Sequence, residues 1–323
     1  MLLGLVALAL VGAFLVFTIV RRDGDSVPAV SDKPYTYVAL GDSYSAGEGL
    51  APYNEGTDTP PNGDDCHRSQ TQSYVELLAN AVKATTLNFL ACSGAQTANI
   101  FQSEQHSGEG VQAASSVLDP TTSLVTITIG GNDVEFANVV GFCAKTANCN
   151  TAVYTPNDQP GHGTSAPLDS WAAARLDALH PQLHDVFVEI HKRAPQAKVI
   201  VVGYPHLFGD AASPSPACQL LYGLVDSNER TSLNALADDL NKTIQSAAVE
   251  TGAQFVDIAP YFSGHEPCAP QSEWINTVLL QGGSPQRGAF HPNAIGQQMY
   301  ARIIHCAITV ATPAMTKCVN VSN

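Results

Sequence analysis

Five short apolar runs constrain what this chain can fold into. They cover Tyr35 to Leu40, Leu87 to Ala91, Leu124 to Ile129, Lys198 to Gly203 and Gln254 to Ile258. Their length and their flanks of Gly, Pro and polar residues read as buried strands. Helical patterns lie between them. Ser73 and Glu76 have capping-box spacing, and Leu77, Leu78, Ala81 and Val82 follow on one face. Trp171 to Arg193 reads as helix, with a break or kink expected at Pro181. Asp226 and Glu229 open a helix whose buried face is Leu233, Leu236, Leu240, Ile244 and Ala247, and Gly252 closes it. A last helix is expected from His291-Pro292, lined by Ile295, Met299, Ile303, Cys306 and Val310. Strands that alternate with helices imply a mainly parallel sheet covered on both faces. Stretches 47–71, 141–170, 208–223 and 259–289 read as irregular, and loops that long are usually functional.

A parallel sheet presents its chemistry outside the carboxyl ends of its strands. The first strand runs into Gly41-Asp42-Ser43, the second into Cys92-Ser93-Gly94, and the third into Gly130-Gly131-Asn132-Asp133. Gly-Asp-Ser alone is also an ordinary turn sequence. The other strand ends, together with His291, supply what an acyl-transfer site needs. A serine hydroxyl needs a base to take its proton, and a histidine titrates in the right range. The oxyanion of a tetrahedral intermediate needs fixed donors, which the N–H groups of Ser43 and Gly94 and the side-chain amide of Asn132 can supply.

Composition excludes other classes. The 323 residues carry 15 basic and 29 acidic side chains, a net charge of −14, with no basic stripe for nucleic acid. Residues 1–20 are almost wholly apolar and are read as a signal peptide or membrane anchor, 21–34 as a polar linker, and 35–323 as one domain. Arg21-Arg22 after the apolar run leaves its cleavage and orientation open. The even set of cysteines (Cys66, Cys92, Cys143, Cys149, Cys218, Cys268, Cys306 and Cys318) suits an oxidising compartment. With eight cysteines, about a hundred pairings remain open. No C-x-x-C pair suggests metal, and His180 with His184 lacks a third ligand. No metal and no cofactor is therefore expected.

Gly41-Asp42-Ser43, Gly94, Gly130-Gly131-Asn132-Asp133 and His291-Pro292-Asn293 resemble the four blocks of the SGNH hydrolases, the GDSL-type lipases and esterases, in order from about Tyr35 to Ile308. The resemblance implies a flavodoxin-like three-layer α/β/α sandwich with a five-stranded parallel sheet. It assigns Ser43 as nucleophile, His291 as base, and Ser43, Gly94 and Asn132 as oxyanion donors. The family usually has an Asp three residues before the His; here that position is Gly288. Secreted bacterial members with similar cysteines use a backbone carbonyl instead. A Ser43–His291 dyad is thus expected, oriented by the carbonyl of Arg287 or Gly288, with Asp42, Asp133 or Asp257 as alternatives. The same subgroup implies Cys66–Cys92, Cys143–Cys149 and Cys218–Cys268, which leaves Cys306–Cys318.

The expected function is an exported serine esterase or lipase, a monomer acting on lipid or other carboxylic esters. A polysaccharide deacetylase on the same site is the alternative among enzymes. A surface-anchored binding module without activity is the alternative from another class. Membrane association is expected only through residues 1–20. Trp274, Ile275, Val278, Leu279 and Leu280 can form an acyl-binding surface or simple packing. His106, His162, His191, His206 and His265 are read as loop or surface residues without a role. Glu48 and Arg68 are read as surface residues flanking the site.

Overall fold

The computed structural model describes residues 34–323, apart from 62, 107, 109, 115, 158–160, 211–212, 271, 278–279, 282–283, 311–314 and 321–323. The expected leader or anchor at 1–20 and all of the linker at 21–34 except Pro34 lie outside the described residues, as do Val278 and Leu279. No helix among the described residues is long and apolar enough to cross a membrane.

Strands Thr36–Gly41 (β1), Thr86–Phe89 (β2), Leu124–Thr128 (β3), Lys198–Val202 (β4) and Gln254–Val256 (β5) form one sheet in the order β2-β1-β3-β4-β5. Every neighbouring pair is parallel. Successive strand residues point to opposite faces, and here both faces are apolar. Tyr37, Ala39, Leu124, Ile200 and Val202 belong to one buried cluster; Val38, Leu40, Val125, Ile127, Val199 and Val201 belong to the other. Near-continuous apolar runs in the sequence are the signature of this two-sided burial.

Four helices pack on the sheet as outer layers: Tyr74–Ala81 (α1), Leu168–Arg193 (α2), Ser227–Thr251 (α3) and Ala294–Thr309 (α4). On one face α1 packs with α4 through Val75, Leu78, Tyr300 and Ile304. On the other, Leu183, Phe187 and Ile190 of α2 meet Leu240, Ile244 and Ala247 of α3. Each fully buried Leu, Ile or Phe contributes about 1.5–3 kcal/mol. The molecule is a three-layer α/β/α sandwich of flavodoxin-like strand order.

Several boundaries differ from expectation. The α2 helix starts three residues before Trp171 and continues through Pro181 without interruption. Burial of the flanking Leu179 and Leu183 outweighs the single lost hydrogen bond. The stretch at 208–223 overlaps the helix Pro216–Leu224, with Ser215 Oγ accepting from Cys218 N and proline at the first helical position. Phe136–Cys143 is likewise helical. The last helix begins at Ala294, not at Pro292: Asn293 caps it by accepting from Ile295 N and Gly296 N. His291 therefore sits on the loop ahead of the helix.

The cysteines pair as Cys66–Cys92, Cys143–Cys149, Cys218–Cys268 and Cys306–Cys318, and none is free. Each such bond is typically worth about 2–4 kcal/mol. Cys66–Cys92 ties the long loop after β1 to the end of β2, where Ser93 N also donates to Cys66 O at 3.1 Å.

At the end of β1 the backbone passes very close to β3. Gly41 has φ +121°, and a Cβ there would lie 2.4 Å from Thr128 O. Gly252, which closes α3, has φ +84° but open space around it. Gly252→Ala should cost about 1–2 kcal/mol from backbone strain alone. Gly41→Ala should cost more, about 3 kcal/mol, because strain and a backbone clash add. Urea midpoints of the two variants test this. Equal midpoints would show that β3 yields freely to the turn at Gly41.

Candidate active site

Ser43 is placed by its neighbours on three strands. Asp42 N donates to Thr128 O at 3.0 Å, and Asp42 Oδ1 accepts from Tyr44 N at 3.0 Å, capping the one-turn helix Ser43–Ala46. The buried Asp42 carboxylate also accepts from Thr128 Oγ1 at 2.7 Å and from the Tyr204 hydroxyl at 2.5 Å. Burial pushes its pKa up to about 6, against the pull of those hydrogen bonds. Tyr204 is in turn fixed by Asn241, which accepts from Tyr204 N at 2.9 Å and donates to Tyr204 O at 2.8 Å. The ends of β1, β3 and β4 thus converge on the residue before Ser43.

His291 meets Ser43 directly. Its Nε2 lies 2.7 Å from Ser43 Oγ, across 248 positions of chain. Its Nδ1 lies 2.9 Å from Ala289 O. A carbonyl only accepts, so Nδ1 carries the proton and Nε2 presents a lone pair to the serine. The acceptor is Ala289, not Arg287 or Gly288 as the sequence suggested. The reason is a tight turn: His291 N donates to Gly288 O at 3.0 Å, and Asn276 Nδ2 donates to the same carbonyl at 3.1 Å. Phe290 adopts φ +62°, which swings the imidazole back over the carbonyl two residues earlier. Arg287 instead reaches Asp65 and the ring of His67.

No carboxylate among the described residues hydrogen-bonds His291. Asp42 is held as above, Asp133 accepts from Thr97 Oγ1 at 2.6 Å, and Asp257 accepts from Ala259 N at 3.1 Å. Burial pushes the His291 pKa below its usual value; the Glu48 carboxylate and the Ala289 carbonyl oppose that shift. Glu48 itself is buried against His67 rather than exposed, at 2.8 Å.

Tyr44, which follows the serine, joins the two halves. Its hydroxyl donates to Phe290 O at 2.7 Å, and its ring centroid lies 5.1 Å from that of His291. Gln297 Nε2 donates to Tyr44 O at 3.0 Å, so α4 also holds this segment. Loop backbones touch as well: a Cβ on Gly288 would lie 2.8 Å from Gly49 Cα.

Gly94 and Asn132 border one cavity of about 640 Å³. Gly94 is exposed on the loop after β2, beside β1 in the sheet. Asn132 is at the end of β3, where Nδ2 donates to Ala95 O at 2.9 Å, leaving its second amide hydrogen for a ligand. The Ser43 N–H opens a helix and has no intrahelical acceptor. The arrangement offers a hydroxyl beside an imidazole lone pair, with backbone and amide donors on the same edge of the sheet.

Sequence reading missed the support behind Asn132. Gln96 Nε2 reaches Asn132 O at 3.4 Å and His162 Nε2 at 3.2 Å. His162 is buried, not on the surface, and its Nδ1 makes a short contact to Glu135. Glu135 also accepts from the Tyr154 hydroxyl at 2.7 Å and Asn157 N at 3.0 Å. It adopts a left-handed conformation, φ +49°, uncommon for a residue other than glycine. The one signal available was an acidic residue directly after Gly-Gly-Asn-Asp-Val. Two clusters have metal-like composition, Cys66-Cys92-His106 and Cys218-Cys268-Glu273. Their sulfurs are joined as disulfides, so neither offers thiolates.

Comparisons with known proteins agree with this geometry. The model of the GDSL-like lipase/acylhydrolase family matches residues 39–299. A lipase of Streptomyces rimosus is 35% identical over 264 residues, 81% of this chain and 82% of its own length. The crystal structure of phospholipase A1 from Streptomyces albidoflavus NA297 superposes with a TM-score of 0.63 at 30% identity, covering 82% of this chain and 95% of that one. An extracellular lipase from Streptomyces rimosus superposes with a TM-score of 0.60 at 30% identity, covering 81% and 94%.

Proposed function

The chain belongs to the GDSL-like lipase/acylhydrolase family and is an ester hydrolase, and from that premise we propose that Ser43 and His291 are its catalytic dyad. The 2.7 Å contact between Ser43 Oγ and His291 Nε2 carries the reading. Ser43 Oγ attacks the ester carbonyl carbon while His291 Nε2 takes its proton. The carbonyl oxygen becomes an oxyanion held by the N–H groups of Ser43 and Gly94 and by Asn132 Nδ2. Collapse breaks the bond to the alcohol oxygen, which leaves with the proton from Nε2. Water then attacks the acyl-enzyme, with Nε2 again as base, and releases the acid. Ala289 O fixes the imidazole through Nδ1 and steadies the imidazolium, the role a carboxylate plays in a triad.

Four disulfides fit an oxidising compartment. We read residues 35–323 as the catalytic domain, exported behind the apolar segment 1–20. Carboxylic esters of lipid type are the substrates we assign, on the likeness to a lipase and a phospholipase A1. Trapping with a serine-directed phosphonate and mapping the labelled peptide test the nucleophile. A label on any residue other than Ser43 would reject it.

The pH dependence follows from His291. The base must be neutral, so activity rises as pH climbs through its pKa. Burial lowers that pKa, which moves the acid limb of kcat/KM below the ordinary value of about 6.5. A profile of kcat/KM against pH should show full activity at neutrality. A limb centred above about 7 would contradict the downward shift that partial burial of the imidazole causes.

A further inference from the structure

The cavity of about 640 Å³ that begins at Gly94 and Asn132 is large enough for a sugar or glycerol unit. Its walls are more polar than apolar, with Gln96, Gln105, Glu135, Asn138, Asn157 and His162 among them. A hydrocarbon chain gains little there, and it would strand those polar groups without water. We propose that this cavity receives the alcohol part of the ester, and that the part it fits is a neutral, hydroxyl-rich group rather than a phosphate ester. This rests on the ester-hydrolase site proposed above.

Two observations independently carry the choice. The first is the polarity of the hydrogen bonds left unmade. Gln105 Nε2 donates to Ser93 O at 2.6 Å, which fixes its amide, and its Oε1 is buried without a partner among the described residues. Gln96 Nε2 is spent on His162 and Asn132. His162 Nε2 accepts there, because Glu135 holds the other ring nitrogen. The free group, Gln105 Oε1, is an acceptor and calls for a ligand with an O–H donor. A sugar or glycerol supplies one; a phosphodiester oxygen does not.

The second is charge. The walls come from stretches 94–105 and 132–138, with Asn157 and His162. No Lys or Arg occurs between Lys83 and Lys145, nor between Lys145 and Arg175. Arg175 is buried and spends its guanidinium on Asp133 O and Gly161 O. The charged wall residues are Glu104 and Glu135. Phosphate sites are built from Arg, Lys or clustered N–H groups. An anion here would face two carboxylates without a cation.

Four octanoyl esters test the proposal with one acyl chain: methyl octanoate, 1-octanoylglycerol, octanoyl glucose and 1-octanoylglycerol 3-phosphate. We expect kcat/KM for the glycerol and glucose esters to exceed that for the phosphate by about tenfold or more, and to exceed methyl octanoate several-fold. Gln105→Leu removes the unpaired acceptor and should lower the glycerol-to-methyl ratio several-fold. Asn138→Lys adds a cation beside Glu135 and should narrow the glycerol-to-phosphate ratio several-fold. Methyl octanoate turnover by each variant reports that it is folded. A wild-type enzyme that prefers the phosphate, or that treats glycerol and methyl esters alike, overturns the proposal. Failure to hydrolyse any of the four esters would instead reject the ester-hydrolase site on which it rests.

Discussion

Ser43→Ala and His291→Ala should each lower kcat/KM for a soluble ester by about 10³–10⁶, and the double variant should lose little more than either alone. The two groups act as one device. The hydroxyl is inert until Nε2 takes its proton, and Nε2 has nothing to activate once the hydroxyl is gone. Their 2.7 Å contact is the physical reason for expecting strong non-additivity. Neither substitution should unfold the protein, since both side chains are only half-buried and sit outside the two apolar clusters. Rates on a soluble butyrate ester, measured with thermal melts of all four proteins, give the answer. A Ser43→Ala enzyme within tenfold of wild type would reject the dyad.

Asn132→Ala should lower kcat by about 10²–10³ with KM little changed, the loss of one oxyanion donor worth roughly 2.7–4 kcal/mol. The donor is valuable because it is preorganised. Asn132 Nδ2 is already bonded to Ala95 O, and its backbone carbonyl is held by Gln96. The amide therefore does not reorganise when charge develops on the substrate oxygen. The split between kcat and KM separates this from a packing defect, because a collapsed site would weaken ground-state binding as well. A rise in KM at constant kcat would show that Asn132 binds substrate without favouring the transition state.

Strands were legible because burial on both faces leaves a continuous apolar run, and β3 shows this most clearly in Leu124-Val125-Thr126-Ile127-Thr128. The capped start of α3 was legible too, since Asp226 and Glu229 satisfy each other's backbone donors locally. Where the reading slipped, longer-range packing had decided. Pro181 looked like a break, yet it lies inside a continuous helix whose neighbours Leu179 and Leu183 are fully buried. His291-Pro292 looked like a helix start, yet Asn293 outcompetes it as a cap and leaves the histidine on a loop. His162 looked idle because its partner Glu135 is 27 residues away and its purpose becomes visible only through Gln96.

The sequence by itself determined the kind of sheet, the order of the elements and which residues are candidates for the reacting groups, because periodicity, caps and strand-end residues are local properties of the chain. Only the tertiary structure decided which carbonyl holds the imidazole, that Gln105 Oε1 is left unpaired, and how polar the space next to Gly94 and Asn132 is. Those properties depend on distances between segments as far apart as Ser43 and His291, and such distances are set by packing and loop closure rather than by any local run of residues.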